Sequence, residues 1–470
     1  MPKLASALLA AALTVGACHR SNATGGAPNP AIASAIEAKS PPDSPAHASA
    51  GADHRTRQRV WDEERRFYKT RGARLAWSDG SRLGSSAEAL ARAVRAADRE
   101  GLTPADYQAD AIEKIARDRF DGAHAAEIDL QLTSTYLSYA WDLVHGVSRP
   151  EDLDPQWHAA PRDADLAATL QHAIDGDGIE PSLAHLAPAA PQYAGLRDQL
   201  QRYRGMAARG ATDDGGVPIA QRVDQIAINM DRWRWLPGDL GARYLIVNIP
   251  AYRLDAVENG RSVLGMKVVV GKRENPTPVL ADQMTSIVFS PYWNIPPDIV
   301  TKETLPHVLN DPAYLERNNI EVVRASNDAT PVDAARIDWQ SSEASGLRFR
   351  QKPGAGNSLG LVKFIFPNHF NVYLHDTPAQ ALFERIERDF SHGCVRVERP
   401  MDLAKYVLHD LPSWTEDKIA EAMHAGTERS VALKDPLPVY LVYFTAWEEN
   451  GSARFADDVY GYDRKQAARP

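Results

Sequence analysis

Asn371-Val372-Tyr373-Leu374-His375-Asp376-Thr377-Pro378 and, shortly after, Ser391-His392-Gly393-Cys394-Val395-Arg396-Val397 are the stretches on which the reading of this chain turns. Val372 and Leu374 alternate with Asn371, Tyr373 and His375, which predicts a strand carrying Tyr373 and His375 on one face. Asp376, the next residue along, points elsewhere and is not expected to partner His375. Thr377-Pro378-Ala379-Gln380 reads as a capping box with proline at the first helical position. Leu382, Phe383, Ile386 and Phe390 then form the apolar stripe of a helix that brings Cys394 back near His375. A thiol is weakly nucleophilic until ionised, and a nearby imidazole can accept its proton. The backbone N–H groups of Gly393 and Cys394, with no side chain at 393, are expected to face a developing oxyanion. Nucleophile, base and stabiliser in one compact unit suit acyl transfer.

Each residue also has a plainer reading. A lone cysteine is usually a small buried hydrophobe, either histidine can be a core or surface residue, and Arg396 can simply pair with Glu387 or Glu398. Zinc is a further alternative, from His369, His375, His392 and Cys394. Their spacing matches no familiar Cys/His ligand pattern, so neither a metal nor a cofactor is expected.

Around this unit the apolar period is that of strands. Tyr244–Ile249, Val263–Val270, Ser286–Ser290, Val362–Phe366 and Val439–Phe444 are strand-like, with Glu258-Asn259-Gly260 as a hairpin signal between the first two. The polar stretch of about 295–352 is too long for a simple connection and reads as a lid-like insertion. Upstream, about 57–210 is helical. Ser85-Ser86-Ala87-Glu88 opens one helix, Gly101 stops it, Thr103-Pro104 starts the next, and Glu127–His145 is another. The expected organisation is α+β. It comprises a signal segment (1–17), a flexible tether (18–55), a helical scaffold domain (56–220), a β-rich catalytic domain (221–450) and a flexible tail (451–470).

A net charge of −9, with no basic stripe, argues against nucleic acid as partner. The two cysteines have separate jobs. Met1-Pro2-Lys3 and the apolar run Leu4–Val15 form a signal-like start, too short to span a bilayer, and it ends in Val15-Gly16-Ala17-Cys18. That ending resembles the lipobox of bacterial lipoproteins, in which the cysteine becomes the acylated N-terminus. Cys18 is therefore the expected lipid anchor to a membrane. Because His19 rather than Asp follows it, the expected address is the periplasmic side of the outer membrane. The Ala/Ser/Pro/Gly-rich stretch after it would span roughly 30–35 Å as a coil. Cys394 is then the remaining thiol in an oxidising compartment, a liability that catalysis would justify.

The motif Tyr373-Leu-His375-Asp-Thr-Pro with Ser391-His-Gly-Cys394-Val-Arg396 resembles the signature of the L,D-transpeptidases of the bacterial cell wall. So do Asp231-Arg-Trp-Arg-Trp-Leu-Pro237, Val270-Gly-Lys272 with Thr277-Pro278, Pro291-Tyr-Trp-Asn-Ile-Pro296, Lys302-Glu303 and Lys363-Phe-Ile-Phe-Pro-Asn368. The likeness is close over about Gln221–Leu411. It is looser over about Asp62–Arg209, where Asp98-Arg-Glu-Gly-Leu-Thr-Pro104 carries it. It implies a scaffold domain and a β-rich catalytic domain with a capping insertion. It also implies that Cys394 attacks the third residue of a tetrapeptide stem, expels the terminal D-alanine and passes the acyl group to an amine of a neighbouring stem. His375 would be the base, and His392, Gly393 and Cys394 would line the oxyanion side. Tyr373, Arg396 and Ser391 would contact the substrate. Water as acceptor, giving a carboxypeptidase or endopeptidase, and an inactive wall-binding lipoprotein are the alternatives. Other wall-synthesis enzymes are possible partners. Large members of that branch usually carry a small peptidoglycan-binding module, for which the short loop Ala211–Val217 leaves no room.

Overall fold

The computed structural model describes residues 26–38 and 54–468, apart from 119, 121, 156, 158–161, 312, 325, 338 and 340–345. Cys18, the signal segment and most of the tether lie outside the described residues. Part of the tether is not a coil. Pro30–Ile36 is a helix, capped by Asn29 Oδ1, which accepts from Ala31 N–H (2.9 Å) and Ile32 N–H (3.3 Å). Ile32 and Ile36, four apart on one face, are both buried, and Arg65 Nε donates to the Ile36 carbonyl (2.8 Å). Two isoleucines were enough to dock a segment whose overall composition reads as solvated.

By compactness the chain divides into residues up to 95 with 104–140 and 165–184, and a second unit of 96–103, 141–164 and 185–470. The first is helical, including His54–Thr70, Ser85–Arg95, Ala109–Arg117 and the start of Ala125–His145. Its buried pin is Asp129, whose carboxylate accepts from Ala76 N–H (2.9 Å), Trp77 N–H (2.9 Å) and Tyr68 OH (2.7 Å). The second unit begins inside the helical region rather than at 220, and it includes the helix Pro191–Ala208. The buried Arg234 accounts for this, donating to the Tyr193 hydroxyl (3.0 Å), which itself donates to Glu100 (2.7 Å). From Pro191–Ala208 to the helix Ile219–Trp233 the chain passes through the small hairpin Asp213–Asp214 with Val217–Pro218.

The catalytic sheet has nine strands: β1 (Arg243–Asn248), β2 (Arg253–Glu258), β3 (Arg261–Gly271), β4 (Leu280–Phe289), β5 (Val362–Ile365), β6 (Leu374–His375), β7 (Asp389–Ser391), β8 (Val395–Val397) and β9 (Arg429–Val442). Their order is β7-β3-β8-β6-β5-β4-β9-β1-β2, and β3 also pairs with β2, so the sheet closes on itself. The hairpin signal joins β2 to β3 rather than β1 to β3, because Arg253–Glu258 is a strand that the sequence reading missed. Asn259 (φ 49°) and Gly260 (φ 77°) make the left-handed turn that such a hairpin requires. Val247, Val268, Val270, Phe364, Leu374, Val395 and Val397 fill the interior.

Three expectations fail locally. The predicted strand Asn371–His375 shrinks to β6, because Asn368 pins 366–372 as a loop. Its Oδ1 accepts from Phe370 N–H (3.0 Å) and Val372 N–H (3.2 Å), and its amide donates to the Phe366 and Val372 carbonyls (both 2.7 Å). The predicted helix after Thr377 is only a 3₁₀ turn, Gln380–Glu384. Arg388 donates to the carbonyls of Arg385, Val268 and Tyr252, and Asp389–Ser391 join β3 in parallel, so the chain is drawn out along the sheet. Ile386, expected inside, is 91% exposed. Finally, 451–470 is not a flexible tail. Ser452–Phe455 pairs with Ala446–Glu449, and in the helix Tyr462–Ala467 Asp463 meets the buried Arg232 (2.7 Å) while Gln466 donates to Asp231 (3.0 Å).

The insertion is a small folded body. Its strands lie in the order Trp293–Asn294, Leu347–Gln351, Ile320–Arg324, Asn327–Val332, and short helices precede Ile320. Its own seven-residue core includes Ile299, Val308, Leu315, Val322 and Phe349. At about 1.5–3 kcal/mol per buried large aliphatic or aromatic side chain, that core is enough to make it more than a loop.

Candidate active site

β6 and β8 run parallel, with Leu374 opposite Val395 and His375 opposite Arg396. This register sets Tyr373 and Cys394, one residue earlier on each strand, beside one another, and the Val395 N–H donates to the Tyr373 carbonyl (3.1 Å). The backbone N–H and the hydroxyl of Tyr373 favour the thiolate form of the sulfur beside them. The sulfur also lies 3.9 Å from the Asn371 carbonyl, in the loop that Asn368 shapes. Burial pushes the Cys394 thiol up, while the two Tyr373 groups and the Arg396 cation oppose that shift. Tyr373, expected as a substrate contact, thus stands beside the Cys394 sulfur.

His375 is buried, and its ring lies 5.7 Å from that of Tyr373. Its Nδ1 is 2.5 Å from the backbone carbonyl of Asp376. A carbonyl only accepts, so Nδ1 carries the proton in the neutral ring and Nε2 holds the free lone pair. Asp376 was correctly set aside as a carboxylate partner, since that carboxylate accepts from Leu361 N–H (2.8 Å) and Thr377 N–H (2.7 Å). Its main-chain oxygen, which no side-chain pattern announces, is what orients the His375 imidazole. Burial, followed by the charges of Arg396 and Lys363, holds the imidazole down to about 3. Both cations lie in one row with it, Lys363 opposite His375 on β5 and Arg396 opposite it on β8. The resting pair is therefore neutral thiol and neutral imidazole.

The nucleophile loop is held by its own side chains. Ser391, buried, donates to the Cys394 carbonyl (2.5 Å) and accepts from Gly393 N–H (3.1 Å). Ser391, expected as a substrate contact, thus braces the loop. The same bond commits the Gly393 N–H inward, which overturns its expected part in an oxyanion hole. Gly393 has φ 112°, a left-handed value that favours glycine. His392 points the other way. Its ring, 34% exposed, meets Glu303 of the insertion at 2.8 Å. The insertion therefore touches the motif itself, through the Lys302-Glu303 pair that stood out in the sequence.

Comparison with known proteins accords with this geometry. Residues 62–200 match the model of a scaffold domain, and residues 242–431 match that of an L,D-transpeptidase catalytic domain. A Haemophilus influenzae protein provisionally named an L,D-transpeptidase is 36% identical over 244 residues, 52% of this chain and 49% of that protein. The chain thus spans about half the length of that relative. Among solved structures, an L,D-transpeptidase from Mycobacterium smegmatis is 14% identical, covering 44% of this chain and 60% of that one, with a TM-score of 0.20. L,D-transpeptidase 1 of Mycobacterium tuberculosis is 16% identical, covering 44% and 63%, with a TM-score of 0.17. Both overlays are loose. Cys394, His375 and the braces around them thus fall inside the stretch, residues 242–431, that is similar to an L,D-transpeptidase catalytic domain, and it follows a stretch, 62–200, that is similar to a scaffold domain.

Proposed function

We propose that this protein is an L,D-transpeptidase of the cell wall that works through a thioester on Cys394. The observation that carries the reading is the parallel register that sets Cys394 beside Tyr373, next to a buried histidine whose tautomer the Asp376 carbonyl fixes. Nε2 of His375 takes the thiol proton as sulfur attacks the carbonyl of the third stem residue, and the tetrahedral oxyanion forms. Collapse forms the thioester and breaks the bond to the terminal D-alanine, whose amine leaves with the proton from His375. An amine of a second stem then attacks the thioester, loses its proton to the same imidazole and displaces the thiolate, which is reprotonated. Burial, with Arg396 and Lys363 beside it, keeps the imidazole neutral so that its lone pair can take a proton, and the two cations are offered to a stem carboxylate.

Incubation of the purified protein with disaccharide-tetrapeptides tests this. Mass spectrometry should find crosslinked dimers lacking one D-alanine. Tripeptide alone would favour water as the acceptor, and unchanged substrate would overturn the reading. We further propose anchoring through Cys18, which would hold the enzyme at a periplasmic membrane surface, with the outer membrane as its address. Cys18→Ser should appear unacylated in fractionation, and an acylated, membrane-bound mature variant would refute the anchor.

A further inference from the structure

Beyond residue 431, where the catalytic-domain match ends, the chain returns to the nucleophile loop. The Tyr460 hydroxyl donates to the Gly271 carbonyl (2.6 Å) and accepts from the Thr277 N–H (3.1 Å). Thr277 Oγ1 accepts from the Gly271 N–H (2.8 Å) and donates to the Gly393 carbonyl (2.8 Å). A relay thus runs from Tyr460 through Thr277 to the residue preceding Cys394. It has little slack. Thr277 is fully buried, and a Cβ on Gly271 would lie 2.2 Å from the Asn275 carbonyl and 2.6 Å from the Thr277 nitrogen. Ser391 holds the amide side of Gly393, so the relay is the second of two clamps on that peptide.

Tyr460 is itself held. Its N–H donates to the Tyr443 hydroxyl (2.7 Å), which donates to Asp458 (2.9 Å). Burial pushes the Tyr460 phenol up to about 12, so it stays a protonated donor through the neutral range. The helix that follows is tied to Arg232 and Asp231, which gives Tyr460 a rigid mount.

We propose that Tyr460 is a positioning residue for Cys394, acting through Thr277 and the Gly393 carbonyl. The proposal rests on Cys394 being the nucleophile. A nucleophile displaced by about 1 Å can lose up to 10²-fold in rate, so a clamp two hydrogen bonds away is able to govern chemistry.

The test is the rate at which a carbapenem acylates the full-length protein at pH 7, followed by intact mass. Tyr460→Phe, which removes only the oxygen, should acylate about tenfold more slowly, as should Thr277→Val. Thr277→Ser, which keeps the hydroxyl, should stay within about threefold of wild type. Because both residues act on one relay, the double variant should be no slower than the slower single variant. Wild-type rates in Tyr460→Phe, equal slowing by Thr277→Ser and Thr277→Val, or multiplicative losses in the double variant would each overturn the proposal. Should Tyr460→Phe fail to accumulate as folded protein, Thr277→Val decides, and a wild-type rate there refutes the relay. Cys394→Ala separates the two levels of the argument. An adduct on Cys394→Ala unseats the nucleophile itself, whereas an unmodified Cys394→Ala beside a fast Tyr460→Phe unseats only the positioning role.

Discussion

Cys394→Ala should form no acyl-enzyme with a tetrapeptide donor or a carbapenem, while its thermal melting stays close to that of the wild type. The two halves of this expectation have different origins. Chemistry needs the sulfur, because a methyl group is no nucleophile. The loop does not need it: Ser391 braces the backbone carbonyl of residue 394 and the amide of Gly393, and both survive truncation. Cys394→Ser should also be inactive. Its hydroxyl is far harder to deprotonate than a thiol, and a neutral buried imidazole is a mild base. Intact mass after incubation with a carbapenem gives the answer, and an adduct on Cys394→Ala would sink the assignment.

His375→Ala should lower the acylation rate by about 10²–10⁴-fold at pH 7. The pH dependence makes the test sharper. In the wild type the imidazole is held down to about 3, so its charge does not change across the neutral range and the rate should lack an inflection near 6.5. In His375→Ala the rate must follow the thiolate population. It should then rise about tenfold per pH unit until the thiol, itself pushed up by burial, is ionised. Stability has a matching sign. An unfolded histidine binds a proton below about 6.5 that the folded one refuses, so the wild type loses stability as pH falls from there toward 3. His375→Ala should flatten that part of the stability curve, and a rate in this variant that is fast and insensitive to alkaline pH would exclude His375 as the base.

Much of this was legible in the chain itself. The strands read over Tyr244–Ile249, Val263–Val270, Ser286–Ser290, Val362–Phe366 and Val439–Phe444 all fall on observed strands, because side chains of a half-buried strand must alternate between core and surface, whereas Asn371–His375 kept only its last two residues. The helices beginning at Ser85 and near Glu127 were visible for the corresponding reason, a 3.6-residue apolar repeat with capping residues. The short segments were not. A capping box and an apolar stripe after Thr377 spelled a helix, yet the Arg388 side chain took up the carbonyls of Arg385 and Ile386, and Asp389–Ser391 paired in parallel with β3. Two isoleucines in an Ala/Pro-rich stretch, and a polar C-terminal segment, gave no periodic signal before their partners existed to bury them.

By itself, the sequence singled out the residues to which the chemistry is here assigned. A cysteine in a Ser-His-Gly-Cys turn and a histidine on a strand are statements about side-chain type and spacing, and these belong to the chain. Tertiary structure decided the state and aim of those groups. The proton on Nδ1 is set by a main-chain carbonyl at 376, and the neutral state of the imidazole by burial between cations on two neighbouring strands. The inward turn of the Gly393 amide is set by Ser391, and the grip on its carbonyl by Thr277 with Tyr460 behind it. Hydrogen-bond direction and desolvation depend on what surrounds a group in space, and much of what surrounds Gly393 and His375 comes from residues remote in the chain.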